Sequence, residues 1–273
     1  MSATSLSPAA AGATAPREVP VLRGAGRIVE RNVLIYRHTW YMLVAEIFEP
    51  VLYLLSVGVG IGELIRHTGN LTQGVPYASY VAPALLATAA MNGAMNETTF
   101  AMFTKLKLLR TYDSIMATPV TARHIAVGEA LWAILRGTLI TIGFLIVVSI
   151  LRLDRSAEIL LVVPGAAIIG FAFSCLGLLV VTWMRNWQDF QFIQLAMLPM
   201  FLFATTFYPL SVYPRAVALA VECLPLYQSI QLVRGPALGQ VGPQLLLPLG
   251  YLLVLGSVSL WWSTQRIERT LIG

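Results

Sequence analysis

Residues 105–124, KLKLLRTYDSIMATPVTARH, form a basic and partly amphipathic segment between two long apolar stretches of the chain. No other interior connection in the sequence concentrates charge in this way. The apolar stretches on either side determine the class of fold, and the charge of this segment indicates how that fold is oriented. Its charged residues are four cations and one acid: Lys105, Lys107, Arg110, Arg123 and Asp113.

The composition excludes an ordinary soluble domain. Hydrophobic residues make up 57% of the 273 residues, charged residues make up 11%, and the mean hydropathy is +0.75. Soluble domains carry about 25% charged residues. The apolar residues gather in stretches of the length, about 20 residues, that a helix needs to cross a hydrocarbon core of about 30 Å. The sequence therefore predicts an all-α, polytopic membrane protein.

Six stretches are long and apolar enough to be transmembrane helices. The first has about 22 residues, which at a rise of about 1.5 Å per residue gives about 33 Å, enough to cross. Most of the connections between the spans are short and polar. The predicted spans are residues 41–62, 78–102, 125–151, 159–183, 190–210 and 244–262.

Four further segments outside these spans have a predicted character of their own. Residues 1–20 are rich in Ala, Ser, Thr and Pro and are predicted to be a disordered tail. Residues 21–40 have arginines opposite an apolar face and are predicted to form an amphipathic helix, either in the membrane interface or packed on the inner side of the protein. Residues 211–243 are apolar but broken by prolines, so we expect one or two short re-entrant helices there. Residues 264–273 form a short tail.

Lysine and arginine are distributed unequally between the two sides that six spans create. Both termini and residues 105–124 fall on one side, together with twelve of the eighteen Lys and Arg residues. Five fall on the other side, and Arg136 lies inside a span. Because basic loops stay on the cytoplasmic side, this pattern predicts a plasma or inner membrane protein with both termini in the cytoplasm.

Charged and amide side chains interrupt the first two spans. A charge near the middle of a span costs about 2.5–3.5 kcal/mol on insertion scales, so such groups usually face the bundle interior or a wet cavity. The glutamates of the first span alternatively lie near the headgroups, and the asparagines of the second alternatively form hydrogen bonds between helices. We predict a substrate pathway lined by Glu46, Glu49, Asn92, Asn96 and Glu97.

The sequence contains no catalytic or nucleotide-binding motif. It has no HExxH, CxxC or GxSxG pattern, and neither lysine follows a glycine as a phosphate-binding P-loop requires. The glycines of VGVGIG, residues 57–62, end a membrane helix and lack the preceding strand of a dinucleotide site. The arginines are spread over many loops, so no nucleic-acid partner is indicated. We expect no metal and no cofactor on this chain, and any ATP to be used by another chain.

Four stretches resemble one transporter family. They are FEPVLYLLSVGVGIG at 48–62, YVAPALLATAAMNGAMNETTF at 80–100, KLKLLRTYDSIMATPVTARHIAVGEALWA at 105–133 and LPMFLFATTFYPLSVYP at 198–214. In this order they resemble the type-2 ABC exporter permeases, especially the nodulation protein J branch, which works with a lipo-oligosaccharide exporter. The resemblance covers about residues 25–265.

The resemblance implies a coupling helix at about residues 109–118 that receives force from an ATPase subunit. It also implies two permeases, a homodimer or a pair with a paralogue, beside two copies of a nucleotide-binding subunit that holds ATP and Mg. Glu129 would transmit the motion, and Arg136 lies on the same helical stripe two turns later. The coupling residues would be Arg110, Thr111, Tyr112, Asp113, Ser114, Ile115 and Met116.

The residues themselves agree with this interpretation, since Tyr and Arg are common anchors at protein interfaces. The alternative is that the basic segment only orients the chain in the membrane. We expect a permease subunit, not an enzyme, that moves an amphiphilic, lipid-linked or glycolipid-like molecule or a hydrophobic drug outward by alternating access. The alternatives are a membrane enzyme acting on a lipid or glycan and a channel or scaffold.

The predicted orientation can be tested by cysteine labelling. With Cys175 and Cys223 replaced by alanine, Ser114→Cys should react with a membrane-impermeant maleimide only after the membrane is opened, because the basic segment is expected inside the cell. Arg215→Cys, on the predicted outer side, is the matched control and should react in intact cells. Labelling of Ser114→Cys in intact cells would contradict the orientation.

Overall fold

Helices are the only regular secondary structure in the computed structural model over the residues that it describes. Ion pairs and close helix contacts join these helices into one bundle. The all-α prediction is therefore confirmed for this part of the chain. The described residues are 20–62, 75–109, 111–116, 118, 120–153 and 157–272.

The α-helices are numbered in chain order. Three π-helical stretches, Leu54–Ile61, Glu97–Ala101 and Thr104–Leu108, extend α2 and α3. The α-helices are α1 (Val21–Tyr36), α2 (Tyr41–Tyr53), α3 (Tyr77–Asn96), α4 (Thr111–Met116), α5 (Ala122–Ile150), α6 (Val162–Val181), α7 (Phe190–Phe203), α8 (Arg215–Glu222), α9 (Pro225–Ala237) and α10 (Leu246–Ile272).

Four helical stretches of the described chain are long and apolar enough to cross a membrane. A fifth crossing exists if α8 and α9, whose axes meet at 81°, count as one broken span. The chain is thus a multi-pass helical membrane protein. The four stretches are Tyr41–Gly58, Ala122–Ile150, Glu158–Val181 and Pro243–Arg269.

Two of the six predicted spans, 78–102 and 190–210, correspond to helices that are not among the four stretches long and apolar enough to cross a membrane. The first is α3, which is less apolar and buries nearly all of its side chains inside the protein. The second is α7, whose 14 residues reach only about 21 Å. It ends at Phe203, earlier than expected, because the backbone reverses at Thr205, where φ is 62°.

Helix α3 forms the centre of the bundle. It contacts α5, α6 and α9, and its π-helical continuation also packs on α6. Small side chains permit this close packing: a Cβ atom on Gly177 of α6 would lie 2.1 Å from the Thr98 hydroxyl oxygen. Because most side chains of α3 face other helices rather than the surroundings, its modest hydropathy is compatible with a place among membrane helices.

Helix α1 packs lengthwise on α5. Its buried face consists of Gly24, Ala25, Ile28 and Asn32, whereas the apolar side chain of Val33 is exposed. The predicted amphipathic helix is therefore present, although it ends at Tyr36, and it packs on the protein with one face. A position in the membrane interface for its exposed apolar face stays a prediction.

The end of the chain differs in extent from the prediction. The proline-broken residues 211–243 do contain two short helices, α8 and α9, and their re-entrant placement stays a prediction. Helix α10 continues through most of the predicted tail to Ile272. The buried Arg234 of α9 stacks on the Tyr80 ring at 4.0 Å and donates to the Thr205 carbonyl at 2.8 Å, which joins α9 to α3 and to the end of α7.

The close contact between α1 and α5 predicts that Gly128→Ala destabilises the protein. The added Cβ would lie 2.8 Å from the Ile28 Cβ and 3.1 Å from the Ala25 carbonyl oxygen. Overpacking of this kind costs about 1–3 kcal/mol, which thermal unfolding in detergent should show as a lower midpoint.

Gly26→Ala is the matched control, because no atom lies within 4 Å of its Cβ position. Alanine is the better helix former by about 1 kcal/mol, so this variant should be as stable as the parent chain or more stable. Equal midpoints for the two variants would show that α1 is not packed on α5 as described.

Candidate functional site

Buried charged and polar side chains converge where α1, α2, α3, α4 and α5 approach one another. We call this group the charge cluster. It contains three carboxylates, two cations, two tyrosines and one amide, and every member forms a hydrogen bond or ion pair with another member. The members are Asn32, Tyr36, Glu46, Glu97, Lys105, Tyr112, Glu129 and Arg136.

Glu129 of α5 is a fully buried carboxylate that accepts hydrogen bonds from three side chains. The Tyr112 hydroxyl of α4 donates to its Oε1 at 2.8 Å. The Lys105 ammonium, at 2.8 Å, and the Asn32 amide, at 3.1 Å, donate to its Oε2. Three different helical segments therefore meet at one carboxylate, and their donors offset the cost of burying it.

Glu97 is the second buried carboxylate and continues the cluster toward α2. The Lys105 ammonium lies 3.4 Å from its Oε1, and the Tyr36 hydroxyl donates to its Oε2 at 2.8 Å. The Arg136 guanidinium pairs with Glu97 through one terminal nitrogen and with Glu46 through the other. It also lies over the Tyr36 ring, 4.7 Å from its centre.

The π-helical turns of the α3 continuation bring Glu97 and Lys105 together. In a regular α-helix, residues eight apart point about 80° away from each other. The i→i+5 hydrogen bonds of Glu97–Ala101 and Thr104–Leu108 change this angle. As a result, the Lys105 ammonium reaches both Glu97 and Glu129, and it remains only 13% exposed.

The charges of the cluster depend on one another. Breaking one buried pair leaves the remaining charge without a counter-charge, which costs about 3–5 kcal/mol. Arg31 of α1 adds a further positive charge that acts on Tyr112. A movement of all members together, which keeps every charge paired, therefore costs less free energy than the displacement of one member alone.

The two tyrosines of the cluster keep their protons. Burial raises the pKa of Tyr112 well above its ordinary value, and the nearby Glu129 carboxylate raises it further. Burial also raises the pKa of Tyr36, with a further increase from the charge of Glu97. Both hydroxyls are therefore obligate donors to carboxylates.

A cavity of about 220 Å³ lies between α2, α3 and α7 and begins where the charge cluster ends. Glu46 belongs to both, since its carboxylate pairs with Arg136 and also lines the cavity. Aromatic residues Tyr53 and Phe201 also line the cavity. The polar residues of the lining are Glu46, Glu49, Thr88, Asn92, Asn96 and Gln194.

Four of the five predicted pathway residues line this cavity, namely Glu46, Glu49, Asn92 and Asn96. The fifth, Glu97, is placed differently. It does not belong to the cavity lining, because the π-helical turns direct its carboxylate into the charge cluster. The predicted transmission residues Glu129 and Arg136 both belong to the cluster.

The predicted coupling segment forms a shorter helix than expected. Residues 111–116 form α4, with Tyr112 fully buried, Ser114 exposed, and Thr111 and Ile115 partly buried. Arg110 and the side chains of Asp113 and Met116 lie outside what the structure describes. Tyr112 is thus the contact from α4 to the charge cluster.

Sequence reasoning did not identify three members of the cluster. Asn32 and Tyr36 lie on the predicted amphipathic helix, and neither is among the predicted site residues. Lys105 was counted only as an orientation signal. A usable signal was present, because the two lysines of the chain both lie in the stretch that follows Glu97.

The fold and the site define a class: a multi-pass helical membrane protein in which buried ion pairs join a short surface helix to an internal polar cavity. A comparison with protein families is more specific. Residues 25–238 match the model of the family described as ABC-2 type transporter. The chain belongs to this family and is a membrane permease component of a transporter.

Curated relatives carry the name Nodulation protein J. The protein from Rhizobium leguminosarum bv. viciae is 31% identical over 231 residues, covering 84% of this chain and 88% of the relative. The protein from Rhizobium meliloti (strain 1021) is 28% identical over 231 residues, covering 84% and 87%. The one from Bradyrhizobium diazoefficiens is 27% identical over 244 residues, covering 89% and 92%.

Loss of the central carboxylate should destabilise the protein strongly. Glu129→Leu leaves Lys105 without its closer counter-charge and Tyr112 without a buried acceptor, so we expect a loss of about 3–5 kcal/mol. Glu49→Leu is the control, because Glu49 is an exposed glutamate of a neighbouring helix and should change stability by less than about 0.5 kcal/mol. Unfolding in detergent measures both, and equal losses would contradict the buried network.

Proposed function

We propose that this chain is the permease subunit of an ATP-driven exporter. Two permease chains, a homodimer in the simplest case, pair beside two copies of a separate ATPase subunit, which binds ATP and Mg. The chain itself binds no cofactor and catalyses no reaction. The proposed cargo is an amphiphilic molecule, lipid-linked or glycolipid-like, or a hydrophobic drug, and it leaves the cytoplasm or the inner leaflet by alternating access.

One observation carries this proposal: an unbroken series of polar contacts leads from the surface helix α4 to the cavity. It begins with Tyr112 donating to Glu129 and continues through Lys105 to Glu97. From Glu97 it passes through Arg136 to Glu46 in the cavity wall. A merely orienting basic segment would not require a buried connection of this kind.

The series suggests how force on α4 reaches the cavity. Closure of the ATPase pair on ATP would press on α4 and displace the Tyr112 hydroxyl. Because none of the buried charges can be left unpaired cheaply, the cluster would exchange one complete set of contacts for another. Packed interfaces with two discrete arrangements amplify small displacements in this way, and the wall at Glu46 would follow.

The chemistry of the cavity supports an amphiphilic cargo. Carboxylate and amide groups on α2 and α3 suit a polar headgroup with hydroxyl or amine functions, and the Tyr53 and Phe201 rings suit its apolar part. The resemblance to the nodulation protein J branch implies the same class of cargo.

The proposal includes a placement in the membrane. Six crossings include α3 and α7, and α8 and α9 form the re-entrant segment on the outer side. Both termini and α4 lie in the cytoplasm, and the chain resides in the plasma or inner membrane. The Lys and Arg distribution supports this orientation.

Tyr112→Phe tests the coupling path, because it removes only the hydroxyl that α4 contributes to the charge cluster. A hydrogen bond to a charged group contributes about 1.5–3 kcal/mol, so we expect at least a ten-fold loss of transport per ATP hydrolysed, with ATP hydrolysis retained. The assay uses vesicles that contain the chain and the ATPase subunit that co-purifies with it, and a fluorescent lipid-linked sugar as cargo.

Tyr213→Phe is the matched control, since its hydroxyl donates to the Phe203 carbonyl far from the cluster and should leave coupling unchanged. Equal transport per ATP in the two variants would refute the coupling path. Turnover of a lipid or glycan by the chain alone, or current through it, would refute the exporter and favour the enzyme or the channel.

A further inference from the structure

A second and larger cavity, of about 500 Å³, lies on the other side of α7 from the polar cavity. We call it the α6–α7 groove. Its lining is almost entirely apolar and contains several methionines, whose flexible side chains adapt to irregular hydrocarbon shapes. Representative lining residues are Met95, Phe173, Val180, Phe192, Met197 and Met200.

A short connection keeps α7 beside α6, but α7 packs poorly against the bundle, and this leaves a gap between the two helices. Only Ile193 and Met197 of α7 are buried. Phe192, at the open side of the groove, is 70% exposed. An apolar gap of this kind suits hydrocarbon better than water, because it offers water few polar partners.

The dimensions of the groove match one leaflet. Its α6 wall extends from Phe173 to Trp183, a rise of about 15 Å, which is half of a hydrocarbon core of about 30 Å. The α7 wall covers a similar length from Asp189 to Met200. A single extended acyl chain, entering from the headgroup end, has this shape.

Aromatic side chains mark the headgroup level at the mouth of the groove. The Trp183 ring packs edge-on against Trp262 at 5.9 Å, and tryptophan is enriched at this depth of a membrane. Trp187 packs against Phe100 and Phe103 at the end of the α3 continuation. The mouth therefore lies at the same end of the bundle as the charge cluster.

The mouth is also cationic. The Arg266 guanidinium lies over Trp183, 5.0 Å from the ring centre, and its Nε donates to the Thr182 hydroxyl at 3.1 Å. Arg185 is exposed in the connection between α6 and α7. The only described acid in that connection, Asp189, accepts the backbone N–H groups of Arg185 and Asn186 at 2.7 and 3.1 Å, so its carboxylate caps the turn.

We propose that the α6–α7 groove binds one acyl chain of an anionic phospholipid of the leaflet on the α4 side, with the lipid phosphate between Arg185 and Arg266. The lipid fills the gap that leaves α7 poorly packed. The apolar lining receives the chain, and the two arginines select the charge of the headgroup. This site is separate from the proposed cargo cavity and does not require transport to occur.

Photolabelling of the unmodified chain tests the site directly. In nanodiscs of phosphatidylcholine with a small fraction of phosphatidylglycerol carrying a diazirine in one acyl chain, labels should concentrate on the peptides that contain Phe173 and Met200. The same probe on phosphatidylcholine should label them several-fold less. Residues 139–150 of α5, whose exposed apolar side chains lie outside the groove, are the reference. Labelling of this segment to the same extent as the groove peptides would overturn the proposal.

Filling the groove provides the second test. Ala196→Trp places an indole in the groove, whereas Leu195→Trp adds the same group to the same helix at a 68% exposed position outside the lining. Native mass spectrometry with phosphatidylglycerol should show one bound lipid fewer for Ala196→Trp than for Leu195→Trp. Equal lipid counts for the two variants would show that no lipid occupies the groove. A disulfide between two copies of an Ala196→Cys variant would show that a second chain occupies it instead.

The headgroup contact has its own control. Arg185→Gln should lower the preference for phosphatidylglycerol over phosphatidylcholine about five-fold, the factor that one arginine near an anionic surface contributes. Arg123→Gln removes an exposed arginine outside the groove lining and should leave that preference unchanged. An unchanged preference in Arg185→Gln would overturn the headgroup assignment.

Discussion

The arrangement of the helices around the charge cluster depends on one constraint: the carboxylate of Glu129 is buried completely and must keep its donors. Those donors come from α1, from the π-helical continuation of α3 and from α4. Since an unpaired charge in this place would cost several kcal/mol, these segments cannot separate independently. The close contact of Gly128 with Ile28 adds a steric reason for α1 to remain on α5.

The remainder of the bundle contrasts with this region. Helix α7 buries only two of its side chains and has an open space on each side, one polar and one apolar. The tightly paired charges and the loosely packed helix lie next to each other, because α3 contributes both to the cluster and to the two spaces. The proposed switch between two packed arrangements would use the rigid connection on one side of α7 and the free volume on the other.

The sequence was sufficient for the helical class and for helices at each of the predicted spans, because long apolar runs in α5, α6 and α10 leave no other choice. It was insufficient where backbone geometry decides. Glu97 is predicted to line the pathway with Asn96 because both polar side chains lie inside a span, whereas π-helical turns direct the Glu97 carboxylate to Arg136 and Lys105. Likewise, hydropathy extended α7 beyond Phe203, since it cannot register the left-handed backbone at Thr205.

The shared position of Met197 has a consequence for the geometry of α7. This side chain borders the polar cavity and the apolar groove at the same time, so the helix acts as a partition one residue thick at that level. A tilt of α7 that enlarges the polar cavity therefore narrows the α6–α7 groove, and the reverse tilt does the opposite. With the proposed lipid in the groove, the lateral pressure of the bilayer would act through α7 on the width of the polar cavity, and the lipid composition of the membrane would influence the conformation of the protein.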